Sequence, residues 1–231
     1  MSIAADWNLK QKRLKEIIRK PNFYDEAKEL FLSMHSQVHF SAASNTKELT
    51  IMDQLWQGMR PQDFTIMPTV KDVTIAWNIW HITRIEDLTM NILINNNTQV
   101  LNKEWLEQMK IHVTDTGNAM TDDEIMDFIK SIDCDALRKY RSAVGIQSKK
   151  VMSALEYNDM KRKIESNSVA RILKEGGVIN HPDSIWLLDF WEKKDVAGII
   201  LMPITRHQVV HLNDCFKLKS SISKKKDFYR S

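Results

Sequence analysis

The segment Trp77-Asn78-Ile79-Trp80-His81-Ile82-Thr83-Arg84-Ile85-Glu86-Asp87 places apolar side chains on most faces of a helix. It lies within a helix expected from about Val70 to Asn95. There Val73, Trp77, His81, Ile85 and Leu88 share one stripe, and Ile75, Ile79, Ile82 and Ile92 occupy others. A helix apolar around most of its girth is buried, so other helices must pack around it. Thr69-x-x-Asp72, a variant of the capping box, is expected to open it.

The flanking sequence supplies the partners. A first helical region runs from about Ala5 to Ser41, interrupted at Pro21 and Asn22. Ala27, Leu30, Phe31, Met34 and Val38 make its second half one amphipathic helix after a short leader. From about Asp135 to Glu156, Leu137, Tyr140, Arg141, Val144, Ser148, Val151 and Leu155 step at helical intervals. A last long helix begins near Ser184 or Asp195 and reaches about Lys217, and Pro203 is expected to kink or break it one turn before His207. Short helices are expected around Met52–Trp56 and Trp105, after the capping box Thr121-x-x-Glu124, and within the irregular return 157–183. Residues 96–120 read as a long polar crossover. The fold class is all-α.

Bulk composition agrees with a single domain. At 231 residues, with 43% hydrophobic and 27% charged residues and only six Gly and five Pro, the chain is globular rather than disordered or repetitive. The domain is expected over 1–218, with a basic tail at 219–231. Residues 216–231 hold six basic side chains against Asp227, which leaves the rest slightly acidic. Without interleaved aromatics such a tail is a solvated terminus, so no nucleic-acid partner is expected. The apolar run Val196–Ile204 is too short to cross a membrane and the N-terminus lacks a signal pattern, which points to the cytoplasm and to no membrane partner. Cys134 and Cys215 form no Cys-x-x-Cys pair and read as small buried side chains in a reducing compartment. Gly-rich phosphate loops, Gly-x-Ser-x-Gly elbows and His-Glu-x-x-His motifs do not occur.

The chemistry sits in histidines. His207 and His211, in Thr205-Arg206-His207-Gln208-Val209-Val210-His211-Leu212-Asn213-Asp214, stand four residues apart on the apolar stripe of the last helix. That spacing puts both imidazoles on one face, within reach of one metal ion. His81 continues the stripe of the central helix in the same way, and three such nitrogens leave a fourth position open. Spacing alone decides nothing, because His35 and His39 share it. They read as pocket or structural residues, with His39 a further ligand or a support behind the ligands if the first helix ends near the same cavity. Asn78, Glu86, Asp87 and Asp214 are candidates for fixing an imidazole tautomer. The simpler reading makes Arg84, Glu86, Asp87 and Arg206 surface ion pairs, although Arg206, which adjoins the ligands and points about 100° away around the helix, is equally a candidate support behind them. His112 and His181 read as surface residues. Trp77, Trp80, Trp186 and Trp191 read as core.

At Ile79-Trp80-His81-Ile82 and Thr205-Arg206-His207-Gln208-Val209-Val210-His211-Leu212, the chain resembles the DinB-like superfamily. Its pattern is one histidine in the second helix and His-x-x-x-His in the fourth. The resemblance implies a four-helix bundle, up-down-down-up, with a long crossover between helices two and three, for which 96–120 is available. It also implies a divalent metal, Zn or Ni first and Fe as a further option, on His81, His207 and His211. The implied activity is transfer of a low-molecular-weight thiol such as bacillithiol or mycothiol to a small-molecule substrate, and the long apolar helices are compatible with a homodimer. The alternative is a bundle that binds metal, or a partner in a stress response, without turnover. Residues 157–194 and the pair His35/His39 exceed a minimal bundle.

Overall fold

Pro21 sets the first corner of the computed structural model, which describes residues 3–67 and 73–228. With no N–H to continue a helix, it starts a 3-10 turn, Pro21–Phe23, that separates α1 (Ile3–Ile17) from α2 (Tyr24–Gln37). The expected leader is therefore a 15-residue helix of its own, with Leu14 and Ile17 buried. Two short helices follow, α3 (Ser41–Ser44) and α4 (Ile51–Trp56), the second opened by a capping box of Thr50 and Asp53.

The central helix α5 (Ile75–Asp87) is buried at every position and runs on into a π-helical turn, Leu88–Ile94. Its N-cap is Thr74, whose hydroxyl accepts from the Trp77 N–H. The cap expected at Thr69 lies outside the described residues. In the crossover lies α6 (Lys103–Met109), after which α7 (Asp122–Ser131) opens on the Thr121/Glu124 capping box. Asp133 caps α8 (Cys134–Ala154). The return holds α9 (Ser166–Lys174), α10 (Pro182–Glu192) and α11 (Val196–Ile199). The last helix, α12 (His207–Phe228), continues through residues 219–228, and Lys219 donates to the carbonyls of Gln54, Leu55 and Gln57 at the end of α4.

Pro203 neither ends the last helix nor simply kinks it. It sits in a π-helical segment, Ile200–Arg206, where the wider turn absorbs the missing N–H, and the Thr205 hydroxyl returns a hydrogen bond to Ile200 O. Among the described residues there are helices and turns but no strand, only an isolated bridge between Lys163 and Asp195. Among the described residues no helix is long and apolar enough to cross a membrane.

The long helices pack around α5, with α8 and α12 directly against it. Helices α5 and α12 run in opposite directions, because Asn78 meets His211 while the Ile82 carbonyl meets Gln208. Helices α2 and α8 are likewise opposed: Tyr24 donates to Leu155 O at one end, and Arg141 to Val38 O at the other.

Of the two readings the sequence allows for α5, the one that makes Arg84, Glu86 and Asp87 surface ion pairs is corrected by the structure, in which all three are fully buried. Asp87 accepts from Tyr140 Oη, Arg84 Nη1, Asn91 Nδ2 and the backbone N–H groups of Val100 and Leu101. Arg84 in turn donates to Thr114 O and Gln99 Oε1. The crossover is thus fastened to α5 near both ends. Trp80 and Trp191 are core as expected, whereas Trp186 is half exposed on α10.

Candidate metal centre

The crossover ends by laying a carbonyl against a histidine. His81, 3% exposed on α5, has Nδ1 2.7 Å from Thr116 O, and a carbonyl can only accept, so Nδ1 carries the proton. Nε2 is then a bare lone pair. It faces His207 Nε2 at 3.2 Å. Ligand nitrogens bound tetrahedrally at about 2.0–2.1 Å from one ion stand about 3.3 Å apart, so a gap that an N–H···N hydrogen bond spans also has the spacing that one shared ion would set.

The third imidazole is fixed in the same sense. His211 Nδ1 lies 2.7 Å from Asn78 Oδ1. The Asn78 amide has one orientation, because Nδ2 donates to Thr74 O. His211 therefore donates through Nδ1 and turns the Nε2 lone pair inward. Candidate ligand atoms of the three residues all lie within 4.8 Å of one another. His207 Nδ1 is buried and has no partner among the described residues.

Electrostatics keep these rings neutral. Burial, and then the neighbouring His211, push His81 down to about 3 against the pull of the Thr116 carbonyl. Burial together with His81, His211 and Arg141 holds His207 well below the ordinary imidazole range, and burial lowers His211 as well. Neutral imidazole is the form that ligates. His207 and His211 are half-buried rather than sealed, while Trp77 stacks on one face of His81 at 4.9 Å and 6°. The described residues include a possible three-histidine metal site.

The other expected residues are distributed differently. Asn78 orients His211, one of the roles expected of it. Asp214 is not behind a ligand, since it pairs with Lys217 at the surface, and Arg206 is exposed. His112 and His181 are exposed, as expected, and His181 accepts from the Asp183 N–H at the start of α10. Cys134 and Cys215 are buried free thiols, and burial pushes Cys134 up to about 11 and Cys215 higher still, so neither is a nucleophile.

His35 and His39 are not at the triad. They form a second buried group with Glu86, a residue read as a surface charge in sequence. His35 Nε2 is 2.8 Å from Glu86 Oε1, and His39 Nε2 is 3.0 Å from each oxygen. Arg141 reaches Glu86 Oε2 at 3.4 Å and donates to Gln208 Oε1 at 2.7 Å. Gln208 also donates to Ile82 O and Pro203 O, so this buried side chain sits between the two histidine groups. Burial works against the Glu86 carboxylate, yet the imidazole N–H groups of His39 and His35 hold its carboxyl well below the ordinary range. Burial pushes His39 down to about 3, and Arg141 down to about 10, which leaves Arg141 a cation at neutral pH.

One signal for Glu86, Arg84 and Asp87 was present in the sequence. Charges on a helix that is apolar all round are buried with it and must be paired. The Thr116 carbonyl carried no such signal, being backbone. Compared with models of known protein families and with curated proteins, the chain matches none.

Proposed function

We propose that the chain is a metal-dependent transferase of the DinB-like kind, with a divalent metal on His81, His207 and His211. The observation that carries this reading is the Nε2 to Nε2 approach of 3.2 Å between His81 and His207, with the Nδ1 protons of His81 and His211 spent on Thr116 O and Asn78 Oδ1. The opposed directions of α5 and α12, and of α2 and α8, are those an up-down-down-up bundle requires. Zn or Ni suits three imidazoles, with Fe a further option.

A divalent metal held there supplies a Lewis acid that makes a thiol or water available as its anion at neutral pH. With a low-molecular-weight thiol, the sulfur forms the new bond to an electrophilic carbon, the leaving group departs with its electron pair, and the thiol proton passes to solvent. Thr116 and Asn78 hold two rings in the ligating tautomer before the ion arrives. Trp77 closes one side of His81 and leaves the half-buried His207 and His211 side for a small-molecule substrate. The stacked Trp77 ring also favours a second reading, a metal-binding or helical interaction protein without turnover.

The test is elemental analysis of the purified chain together with a thiol-transfer assay against alkyl halides and epoxides. One equivalent of metal lost in His207→Gln, with metal-dependent conjugation in the wild type, is the expected result. Metal content unchanged in His207→Gln overturns the site, and metal binding without conjugation leaves the second reading.

A further inference from the structure

The buried group around Glu86 has the composition of a ligand set in its own right. His35 and His39 sit one turn apart on and just beyond α2, 1% exposed each, with rings 4.3 Å apart. Both direct Nε2 at one carboxylate, whose Oε1 is on the histidine side while Oε2 is also approached by Arg141. The candidate ligand atoms of His35, His39 and Glu86 lie within 4.8 Å of one another. Nitrogen and oxygen ligands of a tetrahedral ion stand about 3.3 Å apart, so contacts of 2.8 to 3.0 Å need open by only a few tenths of an ångström.

The surroundings fit that use. Gly145, in the middle of α8, has no Cβ because one built there would overlap the His39 ring. A mid-helix glycine costs about 0.5–1 kcal/mol relative to alanine, so the space it leaves for this imidazole is held against a local penalty. One turn along the same face of α8, the Ser148 hydroxyl is fully buried and, among the described residues, has no partner, as is the case for His35 Nδ1, His39 Nδ1 and Arg141 Nε. A carboxylate that offers one oxygen to an ion while a cationic side chain holds the other is a common way of orienting a ligand.

We propose that His35, His39 and Glu86 form a second binding site for a divalent transition metal, separate from the triad and linked to it through Arg141 and Gln208. Two imidazoles and one carboxylate are a donor set for Zn, Fe or Ni; on loading, each neutral ring shifts its proton from Nε2 to Nδ1, so that both Nε2 lone pairs and the Glu86 carboxylate face the ion. Because all three ligands are buried, the ion is acquired as the helices close and locks α2 onto α5 and α8. The two sites share no ligand, so either stands if the other fails.

The probe is zinc alone. The full chain is unfolded in denaturant with a chelator, refolded with zinc and desalted, and bound metal is counted per chain for the wild type, His207→Gln, His39→Gln and the double variant, with circular dichroism as the check on folding. The expected counts are two, one, one and none. His207→Gln leaves the buried group untouched, so its retained equivalent is the decisive arm even if His39→Gln unfolds. No zinc on His207→Gln overturns the second site, as does an equivalent that survives in the double variant. A single wild-type equivalent lost in His39→Gln but kept in His207→Gln preserves this site and removes the triad.

Discussion

The two histidine groups hang from the same helix, with His81 near the middle of α5 and Glu86 near its end, and they solve different problems. At the triad, His81 and His211 each spend the outer N–H on a fixed acceptor and point a lone pair at their neighbours, while the outer nitrogen of His207 has no partner among the described residues. At the buried group, both imidazoles point at one carboxylate and their outer nitrogens have no hydrogen-bond partner among the described residues. Two triad rings are half exposed, whereas His35, His39 and Glu86 are sealed. The difference teaches that i, i+4 spacing selects a face of a helix, while the partner brought to that face selects the chemistry. A loop carbonyl and an amide make an open ligand set, and a buried acid with an arginine behind it makes a closed one.

Acid provides the largest perturbation of both groups. His39 and His81 titrate near 3 in the fold against an ordinary 6.5. Between those values the unfolded chain binds more protons, so stability is complete above about 6.5 and is lost as pH falls toward 3. For the metal-stripped chain the loss is on the order of several kcal/mol, read from urea melts across that range. His39→Gln and His81→Gln should each remove part of the slope, which apportions it between the two groups. A flat profile from pH 7 to 4 would contradict the burial of neutral rings.

Next comes Asp87→Ala, which leaves Arg84 a buried cation without its carboxylate and frees the crossover. A loss of about 3–5 kcal/mol in thermal or urea unfolding is expected. Metal affinity at the triad should fall with it, since the crossover delivers the Thr116 carbonyl.

Gly145→Ala separates the two groups more cleanly. The added methyl meets the His39 ring, so overpacking of about 1–3 kcal/mol is expected, offset in part by better helix propensity. Calorimetric titration should show the triad unaltered. A fully wild-type melting temperature would mean that the ring can move aside.

Asn78→Ala does the reverse. It removes the acceptor that fixes the His211 tautomer, and zinc affinity at the triad should fall about 10–100-fold with little change in the stability of the stripped protein. The smallest effect is Thr121→Ala, which breaks the α7 capping box for about 1 kcal/mol and should leave both groups untouched.

Much of the helical framework was legible without the structure. The α7 box at Thr121 and Glu124, the span of α8 and the break at Pro21 all follow from local rules of capping and of proline's missing N–H. Pro203 was legible as a disturbance but not as a π turn, because the Ile200 and Pro203 carbonyls within that turn are bonded by the Thr205 hydroxyl and the Gln208 amide, whose positions depend on packing. His81, His207 and His211 could be nominated because each lies on an apolar stripe. His35 and His39 could be found but not placed, since periodicity along one helix says nothing about which acid faces it from another.

What the sequence determined by itself is therefore one-dimensional: which segments are helical, which faces are apolar, and which faces carry imidazoles. Only the tertiary structure decided that Glu86 is a buried partner rather than a surface charge, that Arg141 and Gln208 stand between two histidine groups, and that a Thr116 carbonyl fixes His81. The physical reason is that burial and hydrogen-bond pairing belong to the contact between elements. Backbone acceptors, glycine-sized gaps and shared carboxylates exist as features only once distant segments meet.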